Sequence, residues 1–529
     1  MKRYYFFSLF LLFSLYTDLV FAQHVETPFL KSDLTHHQDL RIVAKVGDIE
    51  ITAEEFKNNY NYGPAFLKRQ NDSKKRYLDV MIYEKLLALE GYAQKLDQSE
   101  HVKNILSQVK ADLITEELFK EDVMGNVSVT EKEIQQAVKQ DLKHVHIKWL
   151  FRKSFEKIKN DFKLLTHGIH FDSLFYLQLN DSVLVDDRSM ETTLFELNNK
   201  NPDLMTIIDT LKTGSFSYPI ETQDGYYIVK IDNGWNDALL TETEWNEHNQ
   251  KMRETLFKQK MDSLSDQYVD NMLLENNPLI KRPAFNLLRA WLAKNILPAD
   301  LVNAWDFKEN TGTEDEQNID KAINYNLSEL VHLNSGSVSL KEFFSWYNPR
   351  RTYIKLSQKS KEVFSVSVQN IVWRMLRDKL LTDRAIQRGL QHRENIIRQY
   401  RWWEDKTVYA KYKRGLADSV KVTDAEVLDY YNKNKDNYRS KSDVFQPLEK
   451  VRSEIENILL REKYNSELIH NVLAAKQKYK IEINDQVLDN IYVDTQNDPR
   501  AIEVYTVKKG GLFPRQPYPT IDSEWKYFF

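Results

Sequence analysis

The sequence predicts an α-dominated α+β protein with one small antiparallel sheet, and three observations carry that expectation. Only 14 Gly and 13 Pro occur in 529 residues, too few for the many tight turns of an all-β sandwich or barrel. Apolar residues recur at helical spacing over long stretches, as at Ile82, Leu86, Leu89, Ala93 and Leu96. Phe216 to Glu221 and Tyr226 to Ile231 are two short β-rich runs, and Gln223-Asp224-Gly225 between them supplies the turn chemistry of a hairpin.

The start of the chain bears on where it works. Lys2 and Arg3 precede a run from Tyr4 to Tyr16 that is apolar except for two serines, and Val20-Phe21-Ala22 offers the small-residue cleavage pattern of a secretory signal peptide. The expectation is a leader over 1–22 and a mature chain from Gln23. A membrane anchor fits less well, because Asp18 interrupts the run short of the ~20 apolar residues that span a bilayer. No cysteine occurs anywhere, which excludes lipidation after the leader, disulfides and thiolate metal sites, and suits an oxidising compartment. The periplasm of a Gram-negative cell fits best. Nothing later in the sequence approaches a membrane-spanning length, and a mean hydropathy of -0.58 with 29% charged residues describes a soluble protein. A formal net charge of -4 gives no whole-chain attraction to nucleic acid.

From Val43 to Phe56 the chain reads as a β-alternating hairpin followed by Thr52 as a helix N-cap, with Glu55 three residues on as a capping box. Val129 to Ile134 begins another helix with the same chemistry, Thr130 before Glu133. A second copy follows. Val338 to Phe343 matches the first box, Asp378-Lys-Leu-Leu381 matches Glu84-Lys-Leu-Leu87, and Val422 to Val427 matches Val129 to Ile134. From Lys85 to Val129 is 44 positions and from Lys379 to Val422 is 43, a spacing that marks an internal repeat. Each copy ends in a long helix. One carries Phe257, Met261, Leu264 and Tyr268 on a face, and the other Val451, Ile455, Leu468, Val472 and Ala475. An extended tail, Ile481 to Asn484, ends the second.

Between Val129 and the first closing helix lies a segment, Lys143 to Trp235, that resembles a parvulin-type (PpiC-type) prolyl isomerase domain, with Gly214 to Ile231 as its last hairpin. In the second copy only Tyr438 to Phe445 occupies that slot. The order of these parts resembles the SurA and PpiD type of periplasmic folding factor, in which helical segments form a chaperone core and parvulin domains are inserted between them. The resemblance covers most of 40–280 and, more weakly, 330–492. It implies two SurA-like helical chaperone modules with one inserted parvulin-like domain. The expected partition is a signal peptide over 1–22, an N-terminal helical module with a small hairpin over 23–142, and a degenerate parvulin-like domain over 143–236. A closing helix over 237–280, a connector over 281–330, a second helical module over 331–492 and a Pro/aromatic-rich tail over 493–529 complete it.

Prolyl isomerisation must lower a barrier of ~18–20 kcal/mol to rotation about an amide. By resemblance, the family holds the proline in an apolar pocket beside a polar cluster that loosens amide resonance, with no cofactor. In active parvulins that cluster includes a histidine on the first strand and another on the last. Carried over, Val145 to Lys153 matches the first strand with Trp149 at the histidine position, and Gly225-Tyr-Tyr-Ile228 matches the last with Tyr227 at the other. Both histidines are replaced. Asp181 falls at the Cys/Asp position, Leu204 falls at the Phe position, and Asp187-Arg-Ser-Met190 stands where the family has a glycine turn. A shifted register would place His146 at the first histidine but Lys148 at a core leucine; the alternation of Val145, Ile147, Trp149 and Phe151 favours the first alignment. Trp149, Asp181, Leu204 and Tyr227 are therefore the residues of a vestigial pocket, packing residues or peptide contacts, with no catalytic residue assigned.

His144 and His146 share a strand face and His167 and His170 form a second pair, but neither offers a third ligand, so no metal site is expected. Tyr400 to Lys413 interleaves aromatics with cations; the simpler reading is a helix that packs its rings and solvates its charges, and the other is a groove for extended peptides. Asn310 to Gln317 reads as a polar linker, Leu287 to Ala293 as a short amphipathic helix, and Gly510 to Pro519 with Trp525 to Phe529 as a tail that docks extended or stays partly ordered. The resemblance implies a holdase for unfolded envelope and outer-membrane proteins, whose groove the helical modules supply. An active isomerase and a structural subunit of an envelope or secretion assembly are the competing readings.

Overall fold

The structure, a computed structural model, describes residues 39–528 apart from 69–71, 180–182, 223, 239–240, 306–327, 353, 440–444, 494–503, 506–513 and 516–517. The expected leader, Asp181, the polar linker and part of the tail lie outside the described residues. The chain is mostly helical with small antiparallel sheets. It forms two compact units, Val123–Gln267 and a larger one made of Met1–Asp122 with Tyr268–Phe529. No described helix is long and apolar enough to cross a membrane.

The larger unit is organised by two hairpins that each receive a third strand from elsewhere. Ile42–Val46 and Ile49–Thr52 form the first hairpin, and Ile481–Ile483 joins it with Ala44 opposite Ile483 and Val46 opposite Ile481. Glu329–Leu333 and Gly336–Ser339 form the second, joined by Leu279–Ile280 with Ile280 opposite Val331. The exchange is reciprocal. The strand after the first closing helix, Glu242–Asn276, completes the second copy's hairpin; the strand after the second closing helix, Leu448–Lys478, completes the first copy's. Sequence analysis expected one small sheet and an extended tail at 481–484, with no partner strand assigned to it. Strands of two and three residues carry no legible alternation, and their partners lie about 50 residues away for Leu279–Ile280 and more than 400 away for Ile481–Ile483.

Helices follow the same exchange. Ser73–Ala93 of the first copy packs against Glu394–Ser419 of the second and against the second closing helix, whose Leu468, Val472 and Ala475 share a core with Leu78 and Leu86. Gly91 permits the first of these crossings, since a Cβ there would meet Val408 Cγ1 at 2.6 Å. Glu100–Asp122 likewise shares a core with Lys361–Gln387, through Leu113 and Leu118 against Phe364, Ile371 and Leu376. Arg388, which follows the last residue of Lys361–Gln387, ties the ends of this pair with salt bridges to Glu121, at 2.8 Å, and to Asp122.

Three of the four expected capping boxes close in full, at Thr130/Glu133, Ser339/Glu342 and Thr423/Glu426. At Thr52 only half forms. Its hydroxyl accepts the Glu55 N–H, but the Glu55 carboxylate turns inward to Lys85 at 2.6 Å. Lys85 also reaches Asp405 at 2.8 Å, and the Tyr92 hydroxyl donates to Asp405 at 2.7 Å. Burial alone would lower the Lys85 ammonium, but Asp405 and Glu55 together raise it above its ordinary value.

The closing helices meet their capping-box helices in the same way in both copies. Lys260 Nζ donates to Glu133 at 2.6 Å and to the Ser128 carbonyl at 2.7 Å, and Lys463 Nζ lies 2.6 Å from Glu426 and donates to the Lys421 carbonyl at 2.8 Å. Arg253 pairs with Glu131, and Arg452 pairs with Asp424, the first residue of the corresponding helix. The lysine contacts, with the cap's own N–H, hold both Glu133 and Glu426 down at about 2.

Two outcomes test this architecture. Residues 281–492 produced alone lack both the completing strand and the helices of the first copy; they should remain without fixed tertiary packing by near-ultraviolet circular dichroism until mixed with residues 39–280. Lys85→Met leaves Glu55 and Asp405 buried without their cation, and urea unfolding should report a loss of about 3–5 kcal/mol. Lys85→Met combined with Glu55→Leu and Asp405→Leu should recover most of it.

Candidate functional site

The smaller unit is built on a four-stranded antiparallel sheet with Ser189–Thr193, Lys143–Arg152, Tyr226–Asn236 and Ile220–Glu221 side by side in that order. Alternation along the two long strands divides the apolar residues between two faces. Val145, Ile147, Val229 and Ile231 point to one face and are covered by Leu194 and Leu197 of the helix Leu194–Lys200 and by Met205 and Ile208 of Pro202–Thr210. Leu150 and Ile228 point to the other, under the helices Phe155–Thr166 and Phe171–Leu177.

Trp149, Leu204 and Tyr227 all pack, partly buried, against the first of these clusters. Trp149 stands opposite Val229, and Tyr227 stands opposite Phe151, so the two aromatic replacements are diagonal neighbours on one face. The Tyr227 ring lies 4.9 Å from that of Phe151, and the Arg188 guanidinium lies 5.0 Å over Phe151. Tyr227 donates its hydroxyl proton to Asp224 at 2.6 Å, and Asp224 accepts a second bond of 2.6 Å from the Thr222 hydroxyl. Burial, then the Asp224 hydrogen bond, pushes the Tyr227 phenol up to about 12. The Thr222 and Tyr227 hydroxyls hold Asp224 below the usual carboxylate range. Gly225, at φ 154°, is needed for this turn, because a Cβ would meet the Arg152 carbonyl oxygen at 2.6 Å.

His146 lies elsewhere. Its Nδ1 is 3.5 Å from Asp232, on the side of the strand where Lys148 bonds to the same carboxylate at 2.9 Å and lies over the Phe175 ring. Lys230 and Asp172 complete that charge cluster, Lys230 at 3.0 Å from Asp232 and 3.6 Å from Asp172. His144 pairs with Asp237 at 2.8 Å and stacks on Trp235, and the His167 Nδ1 lies 2.7 Å from the Lys163 carbonyl oxygen. These histidines serve separate partners.

The turn without glycine is rebuilt as the short 3-10 segment Val185–Asp187, in which Asp187 accepts the Leu184 N–H at 2.8 Å. None of the described residues here has positive φ. The site is thus a mostly apolar face with one polar rim at Arg188, Asp224 and Tyr227. The rim's hydroxyl proton is already committed to Asp224. Sequence reasoning missed Arg188 and Asp224 as parts of the rim; Asp224 appeared only as a turn residue, and nothing in the order of residues brings Arg188 to Phe151. Tyr227→Phe should leave the fold intact and cost about 0.5–1.5 kcal/mol in denaturant unfolding of this unit, the worth of one hydrogen bond.

No protein-family model matches the chain. Among curated proteins it is similar to the foldase protein PrsA 2 of Bacillus cereus, 26% identical over 187 residues, which are 35% of this chain and 54% of that protein. The match therefore spans about half the length of that relative. Among solved structures it is similar to the peptidylprolyl isomerase PrsA of Bacillus anthracis, at 18% identity and a TM-score of 0.21, over 36% of this chain and 96% of that one. It is also similar to a structure from work on PEB4 and Cj1289, two SurA-like chaperones of Campylobacter jejuni, at 15% identity and a TM-score of 0.21, over 44% of this chain and 96% of that one. The chain resembles the SurA/PrsA type of peptidyl-prolyl isomerase-like folding factor.

Proposed function

We propose that the protein is a periplasmic chaperone that holds unfolded envelope and outer-membrane proteins, and that its parvulin-like domain, over 143–236, binds clients without isomerising them. The observation that carries this reading is the pair Trp149 and Tyr227 on one apolar face, where the resemblance calls for two histidines. Aromatic rings at both positions enlarge the area for apolar and stacking contacts and remove the groups that would polarise an amide.

A holdase needs more apolar surface than one proline slot. The helical modules were expected to supply it; Val451, Ile455, Leu468, Val472 and Ala475 of the second closing helix are buried, while Phe257, Met261, Leu264 and Tyr268 of the first are half-buried. A group of exposed apolar side chains lies on the two helices over the sheet's other face and on the nearby loop. Leu177 and Tyr218 are 79% and 80% exposed, and Phe155, Leu164, Ile169 and Tyr176 accompany them. Tyr218 packs 5.3 Å from Phe162, which ties the loop to these helices. Weak contacts spread over such a surface release a client without nucleotide.

The test is aggregation suppression of an unfolded outer-membrane protein followed by light scattering. The unaltered chain should suppress scattering at near-stoichiometric amounts. Tyr176→Ser, Leu177→Ser and Tyr218→Ser together change only exposed positions and should raise the amount required several-fold without altering unfolding. A variant in which 434–447 replaces 143–236 should fold and lose most of the effect. Suppression undiminished in both variants would return the client surface to the helical modules. No suppression, with capture of one stoichiometric partner, would favour the assembly-subunit reading.

A further inference from the structure

One buried carboxylate can be compared between the two copies. In the second, Asp378 accepts the indole N–H of Trp346 at 3.0 Å, and Trp346 belongs to the helix that Ser339 caps. Glu84 holds the matching position in the first copy and also accepts an indole N–H at 3.0 Å, but from Trp525, far along the chain. Counted from the caps Thr52 and Ser339, the residue corresponding to Trp346 is Asn59. The first copy lacks the ring that would fill its own slot, and the segment Tyr518 to Phe528 lies there instead.

The contacts are those of peptide recognition. Asn59 Oδ1 accepts the backbone N–H of Ile521 at 3.0 Å, and Glu84 Oε1 accepts that of Asp522 at 2.8 Å, so two side chains read the backbone of an extended stretch. The Asp522 carboxylate receives Lys406 at 2.8 Å, the Tyr409 hydroxyl at 2.9 Å, and Lys413; Lys413 also reaches Glu524 at 3.1 Å. Trp525 is 1% exposed, with Tyr83 5.8 Å away. The cations of the helix Glu394–Ser419, expected to be solvated, are thus turned onto this segment. A core piece held by shape alone would need neither a paired lysine cradle for one carboxylate nor acceptors aimed at successive amides.

We propose that this slot is a docking site for an extended segment carrying an apolar residue, an aspartate and, three residues after it, a tryptophan. Ile521, Asp522 and Trp525 occupy it in cis, and a partner protein with the same pattern occupies it in trans. About two dozen residues join Val493 to Tyr518, a reach of roughly 80 Å when extended. Tethering of this kind gives the cis segment a millimolar effective concentration. A partner gains the slot by outcompeting it.

The experiment uses the full chain, folded intact, with a site-specific protease sequence inserted between Lys509 and Gly510, and a fluorescein-labelled peptide of residues 514–529. After cutting, the labelled peptide should exchange into the protein with micromolar affinity by anisotropy. Competing peptides carrying Trp525→Ala or Asp522→Asn should be at least tenfold weaker, and the uncut chain should take up the label at least tenfold less. Four results would overturn the proposal. They are unfolding of the larger unit on cutting, no exchange while circular dichroism stays native, equal competition by the altered peptides, or equal uptake by the uncut chain.

Discussion

The larger unit depends on one constraint: neither hairpin can complete its sheet from its own copy. A two-stranded ribbon is marginal in water and leaves an open edge. Here each ribbon takes a third strand from the far end of the other copy's closing helix. Because those strands arrive at the ends of long helices, the exchange also sets which helices meet, and the Lys85 ion cluster with Glu55 and Asp405 joins the copies at that crossing. Chain segments separated by hundreds of residues therefore bury one another's apolar faces.

The same repeat makes room for the parvulin-like segment. In each copy a lysine and an arginine of the closing helix clasp the capping-box helix at equivalent atoms, and what lies between the two helices is free to vary. The second copy fills that interval with a short connection, the first with a four-stranded sheet and its covering helices. Trp149 and Tyr227 share a face, and the 3-10 segment Val185–Asp187 leads into the edge strand Ser189–Thr193.

Much of this was legible in the sequence because local chemistry decides it. Capping pairs fixed helix starts, alternation fixed the face of Val145, Ile147 and Trp149, and the Asp224-Gly225 turn fixed the last hairpin. Illegible were features whose cause is distant. Ile481–Ile483 reads as an extended tail until Ile42–Val46 is known to lack a neighbour, and Glu55 reads as a capping residue until Lys85 draws it inward. The charges of Lys406 and Lys413 read as solvated until Asp522 arrives from more than a hundred residues away. Trp149, Leu204 and Tyr227, named from the sequence, pack against one cluster, but Arg188 was not named with them, because its place over Phe151 follows from the fold of the turn before Ser189–Thr193.

The central claim is that the parvulin-like unit binds and does not isomerise. Exchange NMR on a proline peptide at its cis/trans equilibrium, with the protein added, addresses both halves at once. The account predicts shifted or broadened resonances from binding, with interconversion remaining at the uncatalysed time scale of tens to hundreds of seconds. Exchange peaks showing interconversion accelerated by orders of magnitude would contradict it.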